Sequence, residues 1–122
     1  MFEDWIAVAA TSDYQNPRLT QHASGDAGLL IYKSVYLNHA DGVVTKGSPV
    51  ISPRVTAVGP VPERDRATII DCIDTTNWLN YTQNGDLQDE TPGGRRFVQA
   101  LVLRTGETWK VDQLVVQALG TC

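Results

Sequence analysis

With 122 residues, of which 42% are hydrophobic and 20% charged, the chain has the make-up of a single soluble globular domain. A formal charge of −4 with only 10 Lys and Arg leaves no basic surface to neutralise phosphates, which speaks against a nucleic-acid partner. No apolar run approaches the roughly 20 residues of a membrane span. The opening "MFEDWIAVAA" also lacks the basic n-region and long apolar core of a signal peptide.

The first forty residues carry helical spacing. In "FEDWIAVAATSDY" the apolar Phe2, Trp5, Ile6 and Ala9 fall at i, i+3, i+4 and i+7, one helix face. Asn16 and Pro17 open a short second helix, "PRLTQHA", because Pro is favoured at the first helical position. Ser24 precedes a third, "GDAGLLIYKSVYLNHA", where Asp26 suits the helix dipole and Leu29, Tyr32, Val35 and Tyr36 form the core stripe. Asp41-Gly42 ends it.

From Gly42 the period changes to two. "GVVTKGSPVI" reads as a hairpin turning at Lys46-Gly47, and "SPRVTAVGPVP" as an edge strand bounded by prolines. After the polar turn "ERDR", "ATIIDCIDTTNWL" reads as one long strand. The loop "TQNGDLQDETPGG" separates it from "RRFVQALVLR", and "LVLRTGETWKV" predicts a hairpin at Thr105-Gly106 with Arg104 opposite Glu107. That register sets Val98, Ala100 and Val102 on one face with Trp109, Val111 and Val115. Phe97, Leu101 and Leu103 then share the other with Leu114 and Val116. Since both faces are apolar, the second needs a cover, and another copy of the chain, in a C2 homodimer through the sheet, is the simplest one.

Two cysteines remain, Cys72 in the long strand and Cys122 at the end. Without His ligands at suitable spacing they make no zinc site. Two readings stay open: a disulfide that pins the tail to the sheet, or a buried thiol and a frayed one. The disulfide demands that the tail leave the sheet at Gly120 and fold back, because strands two apart are too distant for the bridge. It would also persist only in an oxidising compartment.

Three helices before a strongly curved antiparallel sheet make an α+β cone. The segments "TSDYQNPRLTQHASG", "GSPVISPRV", "IIDCIDTTNWLNY", "PGGRRFVQALV" and "WKVDQLVVQALGTC" resemble the nuclear-transport-factor-2-like (cystatin-like cone) superfamily. Within it they resemble the small exported proteins and lipoproteins of actinobacteria. The resemblance spans most of the chain, and it rests chiefly on the aspartate–cysteine motif paired with the terminal Gly-Thr-Cys. It implies one domain over 1–122 with a first helix that starts late, export as part of a longer precursor, and a cavity between sheet and helices. Some relatives, such as ketosteroid isomerase and polyketide cyclases, do acid–base chemistry there; others only bind. The fold alone does not decide between these.

The residues point to binding more than to catalysis. Alternation puts Asp71 on the face of Ile69 and Ile73, and Asp74 on that of Ile70 and Cys72, so at most one of them is a buried cavity carboxylate. A buried one would have the raised pKa of a general base; otherwise both pair with Arg95, Arg96 or a hydroxyl. Tyr14, beside Asp13, does not sit in the isomerase's motif, and no catalytic role is carried over to it. Together with Tyr32, Tyr36, Asp71, Asp74 and Trp78, it is a candidate for lining the cavity. His22 and His39 have no metal-ligating neighbours in sequence, and no nucleotide or cofactor motif occurs. The expectation is a non-catalytic binding or accessory domain of the cell envelope or extracellular space, taking a small apolar ligand or a protein partner. The alternative is an isomerase, cyclase or dehydratase with a strand aspartate as base.

Overall fold

A computed structural model describes residues 1–58, 65–88 and 93–122. The elements run α1 (Phe2–Ala9), a 3₁₀ turn (Pro17–Thr20), α2 (Gly25–Ala40), β1 (Val44–Gly47), β2 (Arg54–Val58), β3 (Arg66–Asp74), β4 (Trp78–Tyr81), β5 (Arg95–Thr105) and β6 (Thr108–Val116). The architecture is α+β, with two α-helices against antiparallel sheets in the orders β1-β4 and β2-β3-β5-β6.

The helical half differs from expectation in three ways. The segment after Asn16 closes as a 3₁₀ turn, capped by the Asn16 side chain on the Arg18 amide at 3.0 Å, so the described residues hold two α-helices and not three. α1 stops at Ala9 and does not reach Tyr14, because Ser12 takes a left-handed φ of 51° and donates its hydroxyl to the Val43 carbonyl. The core stripe of α2 is Ala27, Ile31 and Val35, at 0%, 2% and 1% exposed, while Leu29, Tyr32 and Tyr36 are 49%, 42% and 45% exposed. Val35 alone of the expected stripe faces inward. One residue along a helix turns the face by about 100°, so a stripe read one position late points its aromatic rings outward.

The sheets differ as well. Among the described residues no single strongly curved sheet forms, and β1, rather than turning into a hairpin with its neighbour, pairs with β4, Val44 opposite Tyr81 and Gly47 opposite Trp78. The expected long strand over 67–79 breaks at Thr75, whose amide donates to the Gly94 carbonyl at 2.9 Å, and the chain passes from the large sheet into the small one. Gly47 permits this crossing: it has φ 87°, and a Cβ there would lie 1.9 Å from the Asn77 carbonyl oxygen. β2 is an edge strand as expected, although the prolines at 60 and 62 and the start of the "ERDR" turn lie outside the described residues.

The β5–β6 hairpin turns at Gly106-Glu107, with Thr105 opposite Thr108. Arg104 therefore sits opposite Trp109, not Glu107, and its guanidinium pairs with Asp65 at 2.9 Å. A register shift opposite Leu101 and Val102 leaves Asp112 without a partner, and such a bulge reverses the alternation beyond it. Leu114 thus enters the core at 9% exposure, opposite Ala100, and Val115 is 52% exposed, the reverse of the unbulged reading. The bulge also serves the helix. The Asp112 carboxylate accepts the Ser24 hydroxyl at 3.1 Å, and residues 22–24 lie along β6 through Val111 N–H to His22 O at 2.9 Å and Ser24 N–H to Val111 O at 2.8 Å.

The tail follows β5 to Gly120, whose amide donates to the Arg95 carbonyl at 2.8 Å, and Thr121 Oγ1 accepts the Phe97 amide at 2.8 Å. Cys122 then bonds to Cys72, opposite Phe97, with their Cα atoms 5.9 Å apart. Closing 50 residues of chain contributes about 4 kcal/mol by the loop-entropy relation. The native protein is expected to show no titratable thiol under non-reducing conditions, and the paired Cys72→Ala, Cys122→Ala variant to lose up to about that amount in urea unfolding. An unchanged unfolding midpoint would mean that the tail adds nothing to the fold.

Candidate functional site

A cavity of about 410 Å³ opens between the two helices and both sheets. One wall is aromatic: Phe2 stacks on Trp5 at 5.8 Å, and Trp5 meets Trp78 edge-on at 5.1 Å. Both rings of α1 face the site because they lie three residues apart on one helix face. Trp78 reaches it because the break after Asp74 swings β4 out of the large sheet. Ile73 and Val116 form the apolar floor.

The opposite wall is polar. Asn38 donates to Thr45 Oγ1 at 3.4 Å, and Thr45 donates to Asn80 Oδ1 at 2.6 Å. Thr75 is occupied by both polar groups of the Gly94 backbone, donating to O at 3.1 Å and accepting from N at 3.2 Å. Two donors stand apart from this network. Arg96, opposite Ile73 and so on the inner face, gives Nη1 to the Gln117 carbonyl at 3.2 Å. The Trp78 indole Nε1 is buried with no hydrogen-bond partner. Among the described lining residues there is no Asp, Glu, His, Cys or Tyr.

The residues singled out from sequence are not gathered here. Trp78 alone lines this cavity. Tyr14 packs edge-on against Tyr32 at 6.0 Å, Tyr36 at 5.0 Å and His39 at 5.0 Å, a cluster that lines no part of it. Asp71 is on the inner face and 7% exposed, but both its oxygens accept the Ser52 amide, at 2.9 and 3.1 Å. It borders a second hollow of about 300 Å³, beside Arg54, Phe97 and the disulfide. Asp74 Oδ1 accepts the Thr76 hydroxyl at 2.6 Å and the Thr76 amide at 2.9 Å. Those two bonds, with the charge of Arg95, outweigh slight desolvation and hold its carboxyl below the usual range. A general base needs the opposite shift.

One ionic site had no signal in the sequence. Asp4, 6% exposed, accepts Arg18 Nε at 3.1 Å and meets His22 Nδ1 at 2.6 Å. Burial raises its pKa, but the bonds to His22 and Arg18 and the nearby positive charge outweigh that and leave it lowered. This constellation ties α1 to the 3₁₀ turn and to the stretch that runs along β6. Asp4 reads in sequence only as an acidic residue in a first turn, and partners 14 and 18 positions away obey no local period. Among the described residues no group of three His, Cys, Asp or Glu is placed to hold a metal ion, and no helix is long and apolar enough to cross a membrane.

Comparison with solved structures shows a cystatin-like α+β fold. The chain is similar to the intermembrane-space region of the chloroplast protein ARC6, with a TM-score of 0.67 at 12% identity over 95% of this chain and 90% of that one. It is also similar to a Nostoc punctiforme protein of unknown function with a cystatin-like fold, with a TM-score of 0.50 at 13% identity over 98% of this chain and 86% of that one. No protein-family model matches the chain, and no curated protein matches it. At such identities the likeness concerns the fold alone.

The buried Asp4 gives a pH dependence of known sign. Its folded pKa lies below the unfolded one, so its stabilisation is complete above about 3.9 and fades as the pH falls through the lower, folded value. In urea unfolding, the stability gap between wild type and Asp4→Asn is expected to narrow from about pH 4.5 to about pH 2.5. A gap that does not change over that range would show that Asp4 ionisation is not coupled to folding.

Proposed function

We propose that this chain is a non-catalytic binding or accessory domain working in the cell envelope or outside the cell, with the aromatic-walled cavity as its ligand site. One observation carries the reading: the described lining offers rings, amides, hydroxyls and the Arg96 guanidinium but no carboxylate, imidazole or thiol for acid–base work. The isomerase, cyclase or dehydratase alternative needs a strand aspartate as base. Asp71 is engaged by the Ser52 amide, and Asp74 by Thr76. A volume of about 410 Å³ suits a small organic ligand.

The disulfide supports an oxidising compartment, in keeping with the resemblance to exported actinobacterial proteins. The intermembrane-space setting named for the ARC6 region agrees with it. For the outer sheet face, where Val115 is 52% exposed near Ile70, Leu101 and Leu103, the reading is a homodimer. Light scattering is expected to give twice the chain mass at micromolar concentration, with Val115→Lys returning it to the monomer; a monomeric wild type would refute this.

Trp5 and Trp78 line the site, so their fluorescence reports occupancy. A screen of small ring compounds is expected to give a saturable change that Ser34→Phe, which fills the cavity from α2, abolishes and Trp109→Phe leaves intact. The bound compound is expected to be recovered unchanged by mass spectrometry. Conversion of it would bring back the enzymatic alternative.

A further inference from the structure

The hydrogen-bonding character of the cavity narrows the kind of ligand. Along its polar wall Asn38, Thr45 and Asn80 bond in series and Thr75 is taken by Gly94. Two donors beside that wall bear on the character of a ligand. Arg96 is a partly buried cation whose bond goes to a single backbone carbonyl, leaving most of its guanidinium fork for another acceptor. The Trp78 Nε1 donor is buried and has no partner. A chain with 14 Asp and Glu places none of them among the described residues lining this cavity, although a partly buried guanidinium ordinarily draws one. Asp74 responds to Arg95, the neighbour that points to the other face.

Building on the binding reading above, we propose that the site takes small amphipathic organic carboxylates, with Arg96 as the anchor for the carboxylate and Trp78 Nε1 as a second donor. The fork of Arg matches the two oxygens of a carboxylate. Phe2, Trp5, Ile73, Val116 and Leu119 then enclose the apolar body. An amide of the same shape keeps the apolar contacts but forfeits the charge-assisted bonds and sets its own N–H groups against the Arg96 and Trp78 donors. The two wells of preference are thus separable: the rings set affinity for the body, and Arg96 sets the choice of acid over amide.

The test is calorimetric titration of the full chain with 2-naphthoate and 2-naphthamide. The acid is expected to bind about tenfold or more tighter than the amide, with a preference that weakens at high salt. Arg96→Met, which keeps the apolar stem, is expected to remove that preference while changing amide binding less than about twofold, and Arg96→Lys to restore part of it. Trp78→Phe keeps the ring and is expected to lower acid affinity more than amide affinity. Equal binding of acid and amide by the wild type overturns the inference and leaves the binding reading standing. Failure of both probes to bind at about 5 mM overturns both. If Arg96→Met does not fold, the wild-type acid-to-amide ratio and its salt dependence decide the matter alone.

Discussion

Close packing of the first half of α2 on the large sheet is the constraint from which the rest follows. Ala27, fully buried, meets a surface made by Ile73, Val98, Ala100 and Leu114. Small residues on both sides, Ala27 and Ala100, let the helix approach, as interior packing requires. The approach is held by residues 22–24 lying along β6 and by Asp112 reaching Ser24 from its bulge. Further along the helix, Ile31 and Val35 pack with Val8, Leu19 and Ala23 in a second buried cluster, while a neighbouring face borders an open space. There Ser34 and Asn38 face Phe2, Trp5 and Trp78, and the space left among these large rings is the cavity. One helix thus makes the core with one face and a wall of the site with another.

Two further ties keep that geometry. The Asp4 carboxylate joins α1 to Arg18 and His22, which fixes the position of Phe2 and Trp5 over the sheet. At the far side, the sulfur bridge carries the tail across to β3, with Leu119 beside the cavity. The Gln117 carbonyl that meets Arg96 is therefore positioned by the same tail.

The candidate site was partly legible in the residues. Trp78 stood out as a large ring at the end of a strand run, and the alternation that separates Asp71 from Asp74 is the one observed. The tyrosines did not become lining residues, because the α2 stripe is set by Ala27, Ile31 and Val35, whose small and branched side chains fit the sheet. Arg96 sat in plain view beside Arg95, where both read as partners for the strand aspartates. Their opposite fates come from pairing with Ile73 on the inner face and Asp74 on the outer. Nothing within a few residues of either arginine carries that difference.

What the chain determined through its local pattern was the class of its elements: helices first, then antiparallel strands, a hairpin near Gly106, an edge strand among prolines, and a cysteine pair at workable positions. Those depend on propensities and periods that act over a few residues. Tertiary structure alone decided where the long strand breaks, which way α2 is rotated, that Asp112 bulges, and that Asp4 and Arg96 are drawn inward. Each of these is settled by contact between segments far apart in sequence, where the gain from burying an apolar face outweighs what any short stretch prefers by itself.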